Sequence, residues 1–180
     1  YAYNTDGSDL EASDRLSEAA LETFRKAYGD RSPEVAMRIN GLAFGWVKSG
    51  RNNERAVELL QEALEIQRGL LEPPHADLAE TLYHLGWATN QVGDREGART
   101  LYEEALAMRR AIHEGDHPDI ATSLNNLGTL LRSQGNYAEA VPLLQEALEM
   151  MRSLYGEDHP RVAASVGNLA IVLEYLGRCF

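Results

Sequence analysis

The 180-residue sequence contains a single cysteine, Cys179. One cysteine excludes an intramolecular disulfide and a metal cage built from several thiolates. Hydrophobic residues make up 44% of the chain, so a core can form without a covalent crosslink. Low cysteine usage is typical of a reducing compartment, and we therefore expect a cytoplasmic protein.

Long hydrophobic runs are also missing. No stretch approaches the roughly 20 apolar residues that a membrane-spanning helix needs. The opening residues, YAYNTDGSDLEASD, are polar and acidic, and they carry neither the positive region nor the apolar region of a secretory signal. The sequence therefore predicts no membrane partner and no export. Because the chain does not begin with Met, we expect it to be a fragment or a trimmed chain.

Basic residues are scarce relative to acidic ones. Lys and Arg number 17 and Asp and Glu number 28, which gives a formal net charge of −11. Nucleic-acid binding requires positive charge to neutralise phosphates, so we predict no nucleic-acid partner. An acidic surface can attract basic partners, but it more often keeps a helical protein soluble.

Motifs for catalysis and cofactor binding are absent. The glycine-containing segment GDREGA lacks the Lys-Ser/Thr pair of a nucleotide loop, and no nucleophile elbow is present. The carboxylates are spread over predicted exposed helix faces and form no paired acid and base. We therefore predict that the chain is not an enzyme and that it holds no cofactor.

A repeat of 42 residues dominates what the sequence does contain. Three sets of residues share this spacing: His75, His117 and His159; Leu85, Leu127 and Leu169; Ala56, Ala98 and Ala140. Because the histidines occupy equivalent corners of successive units, they cannot converge on one metal ion. We predict that they cap helices and that the chain binds no metal.

Each copy has helical periodicity. Ile120, Leu124, Leu127 and Leu131 follow the spacing of one helix face, and Gly135 with Asn136 breaks one helix from the next. We expect one array over residues 1–180 with eight helices. It divides into a half repeat at 8–28, repeats at 32–74, 75–116 and 117–158, and a half repeat at 159–180. The last copy lacks its second helix, so we expect either a longer array or association at this end, including self-association.

The pattern of Leu-Gly in the first helix, Gly at the turn, and Ala, Leu and Ala in the second helix resembles the tetratricopeptide repeat. The 42-residue period, with GDHP or EDHP between copies, is similar to the repeats of kinesin light chains. This resemblance implies an all-α fold, a right-handed solenoid of antiparallel helix pairs. It also implies a protein–protein interaction scaffold, since the family serves as a generic binding framework.

The resemblance further implies a concave groove lined by the first helix of each pair. Aligning the copies on Gly128 places these candidate residues in the groove: Asn40, Phe44, Lys48, Tyr83, His84, Trp87, Asn90, Asn125, Asn126, Thr129, Arg132 and Asn168. Asparagine amides both donate and accept, so they can clamp an extended peptide backbone. Trp87 and Tyr83 would receive an apolar side chain. In the alternative, the aromatic rings pack between helices and the asparagines are merely solvated.

Three functions remain open at this point. The first is a scaffold that binds a peptide or protein segment in the groove. The second is an accessory or regulatory domain of a larger multidomain enzyme or signalling protein. The third is a self-assembling structural module. Some relatives hold a C-terminal carboxylate with a set of Lys, Arg and Asn residues, and the groove does not match that set.

Overall fold

The computed structural model describes residues 7–178, and side chains for residues 12–177. Cys179 and the outermost residues of the predicted 1–180 array lie outside this range. The described chain consists of eight α-helices without strands: α1 Gly7–Tyr28, α2 Pro33–Ser49, α3 Asn53–Leu70, α4 Ala76–Gln91, α5 Arg95–Ile112, α6 Pro118–Ser133, α7 Tyr137–Tyr155 and α8 Pro160–Arg178. The predicted all-α class with about eight helices is confirmed. The division into repeats stays a prediction.

The repeated histidines cap the N-termini of α4, α6 and α8, each of which is the first helix of its repeat. The Nδ1 atom of His75 accepts a hydrogen bond from the backbone N–H of Asp77 at 3.2 Å. His117 and His159 make the same contact at 3.2 Å with the residue two positions further along. Each bond satisfies a donor that the helix itself leaves free. The predicted capping role of the three histidines is thereby confirmed.

Successive helices pack against one another along the chain. The strongest contacts join α2 to α3, α4 to α5 and α6 to α7, and each pair also contacts the next. Two hydrophobic clusters result, and the rings of Tyr83 and Trp87 pack against both of them. A single helix pair cannot bury both apolar faces, so the stack folds as one unit. The clusters therefore meet at α4, in the middle of the array.

Ion pairs repeat between successive second helices, α1, α3, α5 and α7. An arginine near the end of one helix bonds a glutamate in the next at 2.6 to 2.8 Å: Arg25 with Glu62, Arg68 with Glu104 and Arg110 with Glu146. Pairs as exposed as these contribute about 0–1 kcal/mol each. They neutralise part of the negative charge that the second helices carry.

Helix α8 packs on α7 and contacts α6. Its outer face exposes Val166, Ile171 and Leu173, with 41%, 39% and 45% of their surface accessible. Self-association through this end stays a prediction. Among the described helices, none combines the length and the apolar character needed to cross a bilayer.

Candidate functional site

The candidate residues lie on the first helices α2, α4, α6 and α8, and hydrogen bonds link each of these helices to the next. His84 Nδ1 lies 2.8 Å from Asn40 Oδ1, which joins α4 to α2. The Asn126 amide donates to the Tyr83 hydroxyl and joins α6 to α4. The Asn168 amide donates to Asn125 Oδ1 at 2.9 Å and joins α8 to α6. We call the side of the molecule that is formed by α2, α4, α6 and α8 the first-helix surface.

These bonds use part of the hydrogen-bonding capacity that would otherwise be available to a bound peptide. Asn125, Asn126 and Asn168 are half-buried. An amide side chain offers two donors and an acceptor with two lone pairs, and each bond between helices occupies only one end of each amide. The asparagines therefore tie the first helices together, and their role as a peptide clamp stays a prediction.

Asn40 and His84 are buried, with 6% and 8% of their surface accessible, whereas the groove expectation places them at the surface. Both point into the contact between α2 and α4, where the His84 ring lies 4.6 Å from the Phe44 ring. Burial, together with the positive charge of Arg109, lowers the pKa of His84 to about 4. The neutral imidazole donates its Nδ1 proton to Asn40 Oδ1. This hydrogen bond uses one polar atom of each residue, and their direct binding role stays a prediction.

A cleft of about 430 Å³ opens between α4, α5 and α6. We call it the Trp87 cleft; its lining is Tyr83, Trp87, Asn90, Tyr102, Asn126, Thr129, Leu130, Arg132 and Ser133. Six of the candidate residues are thus brought together in one place. The Oγ1 atom of Thr129 is buried and has no hydrogen-bond partner among the described residues. The cleft combines aromatic walls with polar groups that can still bond.

Tyr83, Tyr102 and Arg109 determine the charge around the Trp87 cleft. Burial raises the pKa of both Tyr83 and Tyr102, so the hydroxyls stay protonated at neutral pH. The Arg109 guanidinium lies 4.5 Å from the centre of the Tyr83 ring, a cation–π contact. Burial lowers the pKa of Arg109, but an arginine remains charged at neutral pH. A permanent positive charge therefore lies against the Tyr83 ring.

The remaining candidates lie elsewhere on the first-helix surface. Phe44 lines a smaller cleft of about 250 Å³ together with Asn40 and His84, and the Lys48 ammonium sits 5.9 Å from the Phe44 ring centre. Asn125 lines another cleft of about 250 Å³ together with Met151 and Arg161. Ten of the twelve candidates thus line these three clefts, and Lys48 and Asn168 are not among their lining residues.

Sequence reasoning missed contributions from the second helices. Gln67 in α3 and Arg109 in α5 each line a cleft beside the following first helix, and Met151 in α7 does the same. These three residues are also 42 apart. Their chemistry changes from copy to copy, whereas core positions such as Leu64 and Leu106 keep theirs. The signal available in the sequence was one position of the 42-residue repeat that carries a different type of side chain in each copy.

One cluster has the composition of a metal site. A possible ligand atom from each of His113, His117 and Asp119 lies within 4.8 Å of the others. The two imidazole rings stack face to face, with centroids 3.5 Å apart and an interplanar angle of 6°. The in-plane lone pairs of parallel rings run side by side, whereas tetrahedral coordination needs them to converge. The 42-residue spacing groups His117 with His75 and His159 and gives no indication of its contact with His113.

Comparisons with known proteins agree with this architecture. The family profile described as tetratricopeptide repeat matches residues 49–111, 88–153 and 119–179. A Podosopora anserina protein with nearly identical TPR-like repeats, named after the kinesin light chain, superposes with a TM-score of 0.80 at 23% identity. That match covers 96% of this chain and 81% of the other. A point variant of the same protein superposes with a TM-score of 0.81.

A third solved structure, BtubC (BKLC) from P. vanneervenii, has a TM-score of 0.71 at 26% identity. The match covers 89% of this chain and 63% of BtubC. The search of curated proteins produced no match.

Proposed function

Because this chain belongs to the tetratricopeptide repeat family, we propose that it is an interaction scaffold that binds a peptide or protein segment on its first-helix surface, with the Trp87 cleft as the principal contact. Tetratricopeptide repeats generally mediate protein–protein interaction and are generally non-catalytic. The proposed localisation is cytoplasmic.

The observation that carries this proposal is the Trp87 cleft itself. Its volume of about 430 Å³ falls in the range of roughly 300–1,000 Å³ that is usual for ligand sites. Trp87 and Tyr83 are half-buried, so each ring is held by the core and still presents a face to the cleft. Large rings held in this way dominate binding energies at protein interfaces. The cleft therefore suits an apolar side chain of a partner.

Polar groups around the rings would fix the orientation of the bound segment. Asn90, Thr129 and Arg132 all line the cleft, and the Thr129 hydroxyl has no hydrogen-bond partner within the described chain. An unsatisfied buried hydroxyl gains a hydrogen bond when a ligand supplies the partner. Arg132 adds a positive charge, so an acidic or carbonyl-rich partner segment would be favoured locally.

Replacing both Asn90 and Arg132 by alanine tests the cleft. We expect peptides selected on the wild-type chain from a displayed random library to bind the double variant about tenfold more weakly, which corresponds to about 1.4 kcal/mol. The side chains are half-buried and cap no helix, so circular dichroism should show an intact fold. Isothermal titration calorimetry measures the affinities. Arg95→Ala, an exposed arginine outside the cleft, is the control and should leave affinity unchanged.

The asparagine clamp has its own test. In the double variant Asn125→Ala/Asn126→Ala the bonds to Asn168 and Tyr83 are lost along with the other amide groups. We expect weaker binding of the same peptides by about fivefold to tenfold, roughly 1 kcal/mol. Tyr83→Phe removes the hydroxyl bonded by Asn126 but leaves the ring and both asparagines, so it measures the loss of that one bond between helices separately from the loss of the Asn126 amide. Unchanged affinity in a folded asparagine variant would remove the clamp from the proposal.

The role as an accessory or regulatory domain of a larger enzyme or signalling protein stays an alternative. A binding surface of this kind serves either setting, and the sequence of the complete gene distinguishes them.

A further inference from the structure

A cleft separate from the Trp87 cleft lies where α3 ends and α4 begins, against the start of α2. It encloses about 140 Å³ and is lined by Pro33, Met37, Asn40, Gln67, Leu70, Leu71, Asp77 and Glu80. We call it the Gln67 cleft. Its walls are largely aliphatic, and 68% of Met37 and 51% of Leu70 are accessible to solvent. Its polar groups are the carboxylates of Asp77 and Glu80 and the amides of Asn40 and Gln67.

The cleft contains an unsatisfied hydrogen-bond acceptor. Gln67 has only 5% of its surface accessible, and its Oε1 atom has no hydrogen-bond partner among the described residues. Thr81 in α4 is fully buried, and its hydroxyl is likewise unpaired within the described part of the chain. An unpaired buried polar atom costs about 1–3 kcal/mol. Gln67 Oε1 would therefore gain from a donor that enters from the cleft.

The next repeat shows how such a site is completed. Arg109 occupies the position 42 residues after Gln67, and Ser123 the position 42 after Thr81. There the Arg109 guanidinium donates to the Ser123 hydroxyl at 2.6 Å and to the Asp119 carbonyl oxygen at 3.0 Å. The second copy thus carries its own cation at the position where the first copy has an uncharged amide.

The carboxylates of the Gln67 cleft form no ion pair with an arginine or lysine of the described chain, although Arg109 lines the neighbouring cleft together with both of them. Glu80 forms no ion pair within the described residues, and the ion-pair partner of Asp77 there is His75, at 4.0 Å. Burial raises the pKa of Glu80, and the negative charges of Asp77 and Asp119 raise it further, although Arg109 opposes this. An incoming positive charge would relieve this repulsion.

We propose that the Gln67 cleft receives an arginine or lysine side chain from the segment bound on the first-helix surface. The aliphatic stem lies against Met37 and Leu70, as long basic side chains commonly do. The charged head donates to Gln67 Oε1 and pairs with Asp77 and Glu80. A cavity of about 150 Å³ accommodates a group the size of benzene, so a basic side chain fits. This inference rests on the proposed function and adds a second, basic anchor point to it.

Selection from a displayed random peptide library on the wild-type chain is the test. We expect the enriched peptides to share a basic residue at one position. Replacing that residue by norleucine in a synthetic peptide keeps the aliphatic stem and removes the charge. The replacement should weaken binding to the wild-type chain about tenfold in calorimetric titrations.

Three variants assign that basic position to the cleft. Gln67→Arg supplies an internal cation, as Arg109 does in the next repeat, and should abolish the difference between the basic and the norleucine peptide. Gln67→Met, which copies Met151 two repeats further along, is the alternative if the arginine variant folds poorly. It removes the amide acceptor and should reduce the difference between the two peptides. Asp77→Asn/Glu80→Gln should also reduce it. Glu149→Gln removes a carboxylate that is exposed on α7 and should leave the difference intact.

The outcomes separate the two proposals. Enriched peptides without a shared basic position, or a basic preference that survives in all three folded variants, would overturn this inference and leave the Trp87 cleft untouched. Failure to enrich any peptide would overturn the proposed function and this inference with it.

Discussion

Replacing Gly128 by alanine is expected to lower the free energy of unfolding by about 1–3 kcal/mol, the usual cost of overpacking a filled core. A Cβ atom at Gly128 would lie 2.7 Å from Leu144 Cγ and 2.8 Å from Leu144 Cδ2. Leu144 is 1% exposed, so it has little room to move away. This clash outweighs the roughly 0.5–1 kcal/mol that alanine gains over glycine in a helix. Urea unfolding followed by circular dichroism measures the change.

Gly45→Ala in α2 is the matched control. A Cβ atom there has no neighbour within 4 Å, so this substitution should stabilise the chain by about 0.5–1 kcal/mol. The two variants are chemically identical and are expected to change stability in opposite directions. A Gly128 variant as stable as the Gly45 variant would show that α6 and α7 are not in such close contact.

Acidification from pH 6.5 towards pH 4 is expected to destabilise the fold through His84 by about 3 kcal/mol, at a slope of about 1.4 kcal/mol per pH unit. The unfolded chain takes up a proton on His84 near pH 6.5, whereas burial lowers the pKa of the folded residue to about 4. The unfolded state therefore binds more protons across this range, and stability is lost as the pH falls. The contribution of His84 becomes constant above about pH 7.5, where the unfolded chain no longer binds a proton at this residue. Urea unfolding at a series of pH values measures the slope.

The difference between the wild-type chain and His84→Gln isolates this effect. Glutamine can still donate to Asn40 Oδ1 but does not titrate, so its curve should lack the slope due to His84. The comparison matters because Glu80, whose pKa is raised by burial, acts in the opposite direction in both proteins. His113→Gln removes another histidine and retains His84, so it should keep the wild-type slope. Parallel curves for the wild-type chain and His84→Gln would mean that His84 is not buried in the neutral form.

The glycines of the first helices show how well the 42-residue pattern predicts the packing of one helix on the next. Gly86, Gly128 and Ala170 occupy equivalent positions, and the first two lie against side chains of the following second helix. Ala170 is exposed on α8, where the described chain has no following helix. The spacing of 42 residues predicts that the three residues share one position in the repeat. The Cβ atom of Ala170 is tolerated because no described helix packs against it.

The proposed binding surface was predicted less completely than the fold. The resemblance to the tetratricopeptide repeat, carried over by aligning the copies on Gly128, implied Tyr83, Trp87, Asn90, Asn126, Thr129 and Arg132, which line one cleft. The same reasoning placed Asn40 and His84 at the surface, although they bond each other inside the contact between α2 and α4. Periodicity identifies the helix face on which a residue lies. It does not show how far the neighbouring helix covers that face.

The sequence by itself determined the helices, their order and their family, because these follow from local spacing, from capping residues and from glycine positions repeated every 42 residues. Only the tertiary structure decided which polar side chains bond each other and which line an open cleft. Gln67, Arg109 and Met151 stand at one repeat position, yet their partners differ because each faces a different first helix. The chemistry of each cleft depends on residues that are distant in the chain, and only the packing of one helix on the next brings them together.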